Sequence, residues 1–335
     1  MTNVLLSADD RTGSLEIGGL IANESYSVPV GPNATSDQCC VVDIATRHLS
    51  ATEAQNRMSA VLARDATHRA HKMDAGLRGN WPHEVEVLLK EGHKVAIVCA
   101  FPDAGRRCDN GIVYIHDLPV LDSVFGTDPL NPQVSSKPAE VLEHFGVSGD
   151  VVVWDANTNE EMDAAVARAV AEDRIVVGAS GAIGAYAKLF LPQGAPRQVA
   201  LPRPLVVLCG SLNELSRDQI AKIGEPVQHV VGKIAIDPVT VIATNRISVP
   251  LSDDQAVAMA NLCADVISAR WSDFRALLVI GGDTAGAIVG DETMETIGCV
   301  APGIPVSWFR EKLVVTKGGG IGQPETVAEI VSRTV

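Results

Sequence analysis

The sequence has no CxxC pair, no apolar run long enough to cross a bilayer, no internal repeat and no low-complexity tract. Each absence removes a class of protein. The seven cysteines are an odd number scattered from Cys39 to Cys299. They form neither a disulfide framework nor a zinc site and point to thiols kept reduced. Cys39 and Cys40, adjacent in an apolar run, read as buried strand residues. No stretch approaches the roughly 18–20 apolar residues that span a membrane. No basic segment followed by an apolar one marks a signal peptide, so a cytoplasmic location is expected. Basic residues are scarce: 27 Lys and Arg against 41 Asp and Glu, a formal net charge of −14. Nucleic-acid binding needs clustered cations and is not expected; the acidity mainly favours solubility. An anionic ligand therefore needs a locally basic pocket. Also missing are the P-loop pattern GxxxxGK[ST] and a GxGxxG after the first strand, which argues against a P-loop or the standard dinucleotide site.

What is present is a globular chain of 335 residues, 46% hydrophobic and 20% charged, long enough for two domains. Apolar runs alternate with helical patterns. Strands are expected at Val4–Ala8, Cys39–Ile44, Val95–Ala100, Val151–Trp154, Ile175–Val177, Leu205–Cys209, Leu277–Ile280 and Leu313–Thr316. "TNEEMDAAVARAVAED", with Thr158 as N-cap, and "SDDQAVAMANLCADVISARW" read as helices. The fold class is α/β, with two domains, each a largely parallel sheet flanked by helices. "LPQGAPRQVALPRP", Leu191 to Pro204, carries four prolines and a glycine and marks the junction. The domains are placed at 1–195 and 205–335, with 196–204 as linker. The turn-rich segment Asp103–Pro138 reads as a β-hairpin insertion or a long functional loop, a wall or lid for a site between the domains.

Three constellations could carry chemistry. In "LLSADDRTGS" an apolar run ends in Asp9 and Asp10, with Thr12 and Gly13 opening a helix. Ligands of open α/β sheets bind beyond the C-terminal strand ends, where a carboxylate can take a hydroxyl proton; the alternative is one capping and one solvated aspartate. "HKMDAGLRGNW" supplies Lys72, Asp74, Arg78, Gly79 and Asn80, and "FPDAGRRCDNG" supplies Asp103, Arg106 and Arg107. Arg offers a fork that matches a carboxylate and Lys a mobile charge; the alternative is surface salt bridging. His68 and His71 read as non-metal histidines. Near the C-terminus, "LLVIGGDTAG" (Gly281, Gly282, Asp283, Thr284) and "LVVTKGGGIG" (Lys317, Gly318, Gly319, Gly320) each place a Gly-rich turn between strand and helix, an arrangement suited to phosphates. "VVGASGAIG", Val176 to Gly184, is read as helix–sheet packing.

Together these elements resemble the four-carbon acid sugar kinase family, enzymes that phosphorylate threonate, erythronate or oxo-tetronates with ATP. "SADDRTGS" is similar to the family's DDxTGA element, "HKMDAGLRGNW" to K-x-D-S-T-L-R-G-N, and "AFPDAGRRCDNG" to A-F-P-x-x-G-R-x-x-x-x-G. "WDANTNEEM", "VVGASGAIGAYA", "VVLCGSLNELSRDQI", "VIGGDTAGAI" and "VTKGGGIG" follow in the family's order, the last three resembling the nucleotide site. The departures are Arg11 for an aliphatic residue, Ser14 for alanine, "DAGLRG" without the usual Ser-Thr, no second Ser or Thr two residues beyond Ser211, "KGGGIG" where K-S-G-N-F-G is common, and a shorter chain.

The resemblance implies an acid-sugar site in the N-terminal domain formed by Asp9, Asp10, Lys72, Asp74, Arg78, Gly79, Asn80, Asp103 and Arg106; Arg11, which the family pattern does not predict, either contacts the substrate and alters which acid is chosen or points into solvent. It implies an ATP site in the C-terminal domain formed by Ser211, the Gly281–Thr284 turn, Lys317 and the Gly318–Gly320 turn. Asp10 is the expected base, with Asp9 the alternative; Asp283 is either a Mg²⁺ ligand or a helix cap. The expected partners are a small sugar acid and ATP, without nucleic acid or membrane, and a homodimer is allowed. Competing readings are a non-catalytic relative that senses a nucleotide or sugar acid and, less favoured, a dinucleotide-dependent oxidoreductase.

Overall fold

The computed structural model describes residues 2–126, 132–246 and 251–335. They fall into two compact units, residues 1–21 with 28–193 and residues 22–27 with 194–335. The split at 193/194 lies inside the proline-rich stretch, and the short segment after the first helix groups with the second unit.

The first unit runs β1 (Thr2–Ala8), α1 (Arg11–Ile21), β2 (Val28–Gly31), β3 (Cys39–Asp43), α2 (Ala51–Leu62), β4 (Ala66–Lys72), α3 (Trp81–Lys90), β5 (Lys94–Val98), β6 (Arg106–Asp109), β7 (Ile112–Ile115), β8 (Leu118–Pro119), α4 (Pro138–His144), β9 (Val151–Val153), α5 (Asn159–Ala171), β10 (Arg174–Gly178) and α6 (Ser180–Lys188). Its sheet has the order β2-β3-β1-β4-β10-β5-β9, with every neighbouring pair parallel. Strands covered on both faces read as continuous apolar runs, so β1, β3, β5, β9 and β10 stand within two residues of their expected bounds. β2 was not foreseen, and neither was β4, "ATHRAHK", at the centre of the sheet. Its polarity is absorbed locally. His71 is fully buried between Ser7 and Glu84, 2.8 Å from each, and His68 stacks on Phe190 at 3.6 Å.

Strand β6 opens a three-stranded antiparallel sheet with β7 and β8, the hairpin reading of the Asp103–Pro138 segment; residues 127–131 of that segment lie outside the described residues. Cys39 and Cys40 are buried in β3, and Thr158 caps α5 through the Glu161 N–H. The glycine turn at 178–184 is helix–sheet packing. A Cβ on Gly178 would stand 2.1 Å from the Val98 carbonyl oxygen, and one on Gly181 would stand 2.7 Å from the Phe101 ring.

The second unit runs β11 (Leu205–Cys209), α7 (Glu214–Ala221), β12 (Val227–His229), β13 (Val239–Ala243), α8 (Asp253–Ser268), β14 (Ala276–Ile280), α9 (Gly282–Val289), β15 (Met294–Ala301), β16 (Ile304–Phe309), β17 (Lys312–Lys317) and α10 (Thr326–Ser332). Its strand order is β12-β13-β11-β14-β17-β16-β15. The pairs from β12 to β17 are parallel, and β17-β16-β15 is an antiparallel meander. No helix among the described residues is long and apolar enough to cross a membrane.

Both units contain a topological switch point. From β1 the chain turns to β3 on one side and then to β4 on the other. From β11 it turns to β13 and then to β14. A crevice opens at the carboxyl ends of such strand pairs, where open α/β sheets bind ligands.

Candidate active site

At the β1/β4 switch point six charged side chains interlock. Asp9, 1% exposed at its side chain, faces Lys72 through Oδ1 (Nζ 2.9 Å) and Arg47 through Oδ2 (Nε 2.9 Å, a terminal nitrogen 2.8 Å). Asp10 gathers three donors on Oδ1: the Gly13 N–H at 3.1 Å, Lys72 Nζ at 3.0 Å and Arg47 at 2.8 Å. It thereby caps α1. Its Oδ2 has no partner among the described residues, and its side chain is 21% exposed. Asp74 holds Arg78 through both oxygens (2.8 and 3.0 Å) and stands 3.6 Å from Arg47. Three carboxylates and three cations therefore balance in a nearly dry site, where each ion would be costly without the others.

The electrostatics differ by position. Burial raises the pKa of Asp9, against the pull of Arg47 and Lys72. Burial acts on Asp10 in the same direction, yet Arg47 and Lys72 outweigh it and hold that carboxyl well below the usual range. Asp74 is likewise held low by Arg47 and Arg78 against burial. Lys72 is raised well above a free lysine by Asp10 and Asp9, against burial. Asp10 is therefore ionised at any working pH, with one oxygen open.

The glycine after Thr12 belongs to this packing. A Cβ on Gly13 would lie 2.3 Å from Lys72 Nζ and 2.7 Å from Asp10 Oδ1. Nζ is pinned between two carboxylates and cannot retreat without breaking a pair. Gly13→Ala is expected to destabilise the chain by about 1–3 kcal/mol, the range for overpacking, in a urea titration. A midpoint equal to that of the wild type would show that Lys72 moves freely.

The remaining expected residues divide. Arg106, half-buried at the start of β6, donates to the Ala104 carbonyl and has no carboxylate bonded to it among the described residues. Burial lowers its pKa, with Glu16 and Asp74 acting the other way. Arg11 pairs with Asp43 at the end of β3 (2.5 Å). Asn80 donates its amide to the Thr46 and Leu49 carbonyls (2.7 and 2.8 Å), and Gly79 backs onto Arg47, whose Cγ would lie 3.0 Å from a Cβ there. These two hold the Arg47 loop. Asp103 is exposed and accepts from Asn159 at 2.7 Å, outside the cluster.

Two residues escaped the sequence reading. Arg47 joins Asp9, Asp10 and Asp74. It follows β3 by four residues, so the rule that strand ends carry the site could have found it. Glu16 lies four residues after Thr12 on α1, hence on the same face, and accepts from the Ser180 hydroxyl at 2.6 Å. Burial raises its pKa, against Ser180, Lys72 and Arg106, which places it within electrostatic reach of the cluster.

In the second unit the turns after β11, β14 and β17 interlock at their carboxyl ends. The Gly210 and Ser211 N–H groups both donate to the Ile280 carbonyl (3.1 Å each), and the Gly281 N–H donates to that of Lys317 (2.9 Å). Side chains are excluded where the turns touch. A Cβ on Gly210 would lie 1.9 Å from Thr284 Oγ1, and one on Gly319 would lie 2.5 Å from Ser211 Oγ. Helix α7 braces the last turn: Ser216 donates to the Gly319 carbonyl (2.7 Å) and Gln219 to those of Ile321 and Gln323 (3.1 and 2.8 Å). Gly282 begins α9, so its first N–H groups face the crevice end. Asp283 is exposed in the first turn of α9 and makes no cap hydrogen bond; the N-cap position is Gly281. Lys317, 1% exposed, donates among the described residues to the Gly318 and Gly319 carbonyls (2.9 and 3.4 Å). Burial draws its pKa down to about 8.

Known proteins carry the same pattern. Residues 4–145 match the family described as sugar-binding N-terminal domain. The chain is 24% identical to a D-threonate kinase of Bordetella bronchiseptica over 96% of its own length and 94% of the relative's. It is 26% identical to a D-erythronate kinase of Heliobacterium modesticaldum, covering 67% of this chain and 60% of that protein. A crystal structure of a Haemophilus influenzae protein of the DUF1537 family shares the fold, with a TM-score of 0.71 at 20% identity over 99% of this chain and 100% of the other. The motif resemblance thus holds along the chain, which is similar over nearly its whole length to a D-threonate kinase and matches, at residues 4–145, the family described as sugar-binding N-terminal domain.

Proposed function

We propose that this kinase transfers the terminal phosphate of ATP to a hydroxyl of a four-carbon sugar acid of the threonate or erythronate type, with the acid held in the first unit and the nucleotide in the second. The observation that carries the proposal is Asp10: one oxygen fixed by three donors, the other open at a switch point, and the charge held at any working pH. The names of the relatives, a D-threonate kinase and a D-erythronate kinase, support the substrate class.

In this mechanism Arg106 takes the substrate carboxylate, because the other nearby cations already face aspartates. Asp10 Oδ2 accepts the hydrogen bond of the attacking hydroxyl and aims its oxygen. As the new P–O bond forms and the bond to the ADP oxygen breaks, the hydroxyl proton passes to Asp10 and then to solvent. Phosphoryl transfer has a loose transition state, so positioning and charge stabilisation matter more than a strong base. The N–H groups at the start of α9 and in the Gly318–Gly320 turn, together with the Lys317 ammonium, face the phosphates; those of Gly210, Ser211 and Gly281 are already bonded to carbonyls. Asp283, an exposed carboxylate with no hydrogen-bond partner among the described residues, would hold Mg²⁺, which usually takes one or two carboxylates with substrate phosphates and would neutralise developing charge on the phosphate oxygens.

The test is ADP release on a panel of four-carbon acids with ATP and Mg²⁺. Turnover of at least one acid is expected. Binding of the acids without turnover would favour a sensor, and stabilisation by NAD(P) in place of ATP would favour an oxidoreductase.

A pH dependence follows from Lys317. Its pKa near 8 belongs to the ligand-free state, and a bound phosphate favours the charged form. ATP affinity is therefore expected to be level below about pH 8 and to fall above it, by up to about tenfold per unit, in calorimetric titrations between pH 7 and 9.5. Lys317→Met should bind more weakly and lose that slope. A level affinity for the wild type up to pH 9.5 would remove Lys317 from the phosphate site.

A further inference from the structure

A second cation of the second unit is buried with no carboxylate bonded to it among the described residues. Arg217, on α7, is 5% exposed. Its guanidinium donates to the carbonyl and hydroxyl of Thr244 (2.7 and 2.6 Å), both neutral, and its Nε has no hydrogen-bond partner in the described structure. A buried guanidinium normally faces a carboxylate, and burying it unpaired costs several kcal/mol. The contrast with the first unit is direct, because there Arg47, Lys72 and Arg78 each face an aspartate.

The position is as informative as the missing charge. Thr244 follows β13, and its N–H donates to the carbonyl of Cys209, the last residue of β11. Lys317 is the last residue of β17. In the order β13-β11-β14-β17, the two cations therefore flank the β11/β14 switch point from opposite sides. Cys209 lies within reach of both: burial pushes its thiol up, and Arg217 and Lys317 pull it back. Arg217 also shares α7 with Ser216 and Gln219, which brace the glycine turn.

We propose that Arg217 is a further anion-binding residue of this site, and that together with Lys317 it takes the phosphates of the bound nucleotide. The inference rests on the second unit being the nucleotide site. The planar fork suits phosphate oxygens, and a polyanion supplies the charge that both cations lack. The fold carries the unpaired charge because the ligand completes it.

The test uses the full chain and Arg217→Met. Calorimetry with ATP, pyrophosphate and adenosine reads the phosphate contact, and thermal unfolding without ligand reads the fold. ATP and pyrophosphate are expected to bind at least about tenfold more weakly to R217M, the scale of one charge-assisted contact, with adenosine affinity unchanged. The ligand-free melting temperature should stay level or rise, because an unpaired buried charge has been removed. A purely structural arginine would behave the opposite way: a lower melting temperature, or failure to fold, with ATP affinity within twofold, and any of these overturns the proposal. Wild-type binding of ATP and pyrophosphate without phosphorylation of any acid would end the kinase reading and leave Arg217 assigned; no wild-type binding of either would end both.

Discussion

Asp10→Asn is expected to cut turnover by about 10²–10⁴-fold, the range for loss of a positioned proton acceptor, while ATP binding stays within about threefold. Asparagine keeps the side-chain oxygen that caps α1, so the Gly13 N–H retains its acceptor. What disappears is the charge and the open carboxylate oxygen. Asp9→Asn is the informative comparison. That residue is buried, and both its oxygens face cations, so its loss should appear first as lower stability, with the remaining folded enzyme still turning over. Near-normal turnover in D10N, measured as ADP release at saturating acid, would remove Asp10 from the chemistry.

The separate roles of two neighbouring aspartates could not be read from "DD". The repulsion between them is resolved by Arg47 and Lys72, which arrive from two other strand ends. Lys72 was legible because a glycine-rich basic segment follows it. Arg47 was passed over because "DIATRHLS" contains a single cation in an ordinary loop; its place four residues beyond a strand was the one signal available, and the parallel register of β3 beside β1 brings it to the aspartates.

The fold was legible in β3, β5 and β11, where burial on both faces leaves an apolar run, although β13, equally apolar and buried, was not foreseen. It failed at β4, whose His and Arg residues satisfy their polar atoms by long-range bonds that no local pattern announces. His71 to Glu84 and the Arg69 N–H to the Tyr186 hydroxyl are two such bonds. Arg217 belongs to the same class of difficulty. Beside Asp218 on a helix it reads as surface charge, and only the packing of α7 shows it buried against Thr244.

Arg47→Met carries the largest expected effect on stability. The arginine is 12% exposed at its side chain and is shared by Asp9, Asp10 and Asp74. Its removal leaves three carboxylates facing only Lys72 and Arg78 in a nearly dry site. Breaking a buried pair from one side costs about 3–5 kcal/mol, a large fraction of the stability of an ordinary domain. The sign of the pH dependence follows from the wild-type shifts. Asp10 and Asp74 titrate below their ordinary 3.8 in the folded chain, so their contribution is complete above that value and is lost as pH falls through their folded pKa values. Without Arg47 both pKa values rise, and in acid the folded variant binds protons more readily than the wild type does. The stability gap between the two should therefore be widest at neutral pH and close as pH falls toward the carboxylate range. Urea titrations of both chains at pH 7, 5 and 4 would show it. A gap that stays constant across that range would mean the arginine contributes packing rather than charge, and the balance of three anions against three cations would not be what holds Asp10 in place.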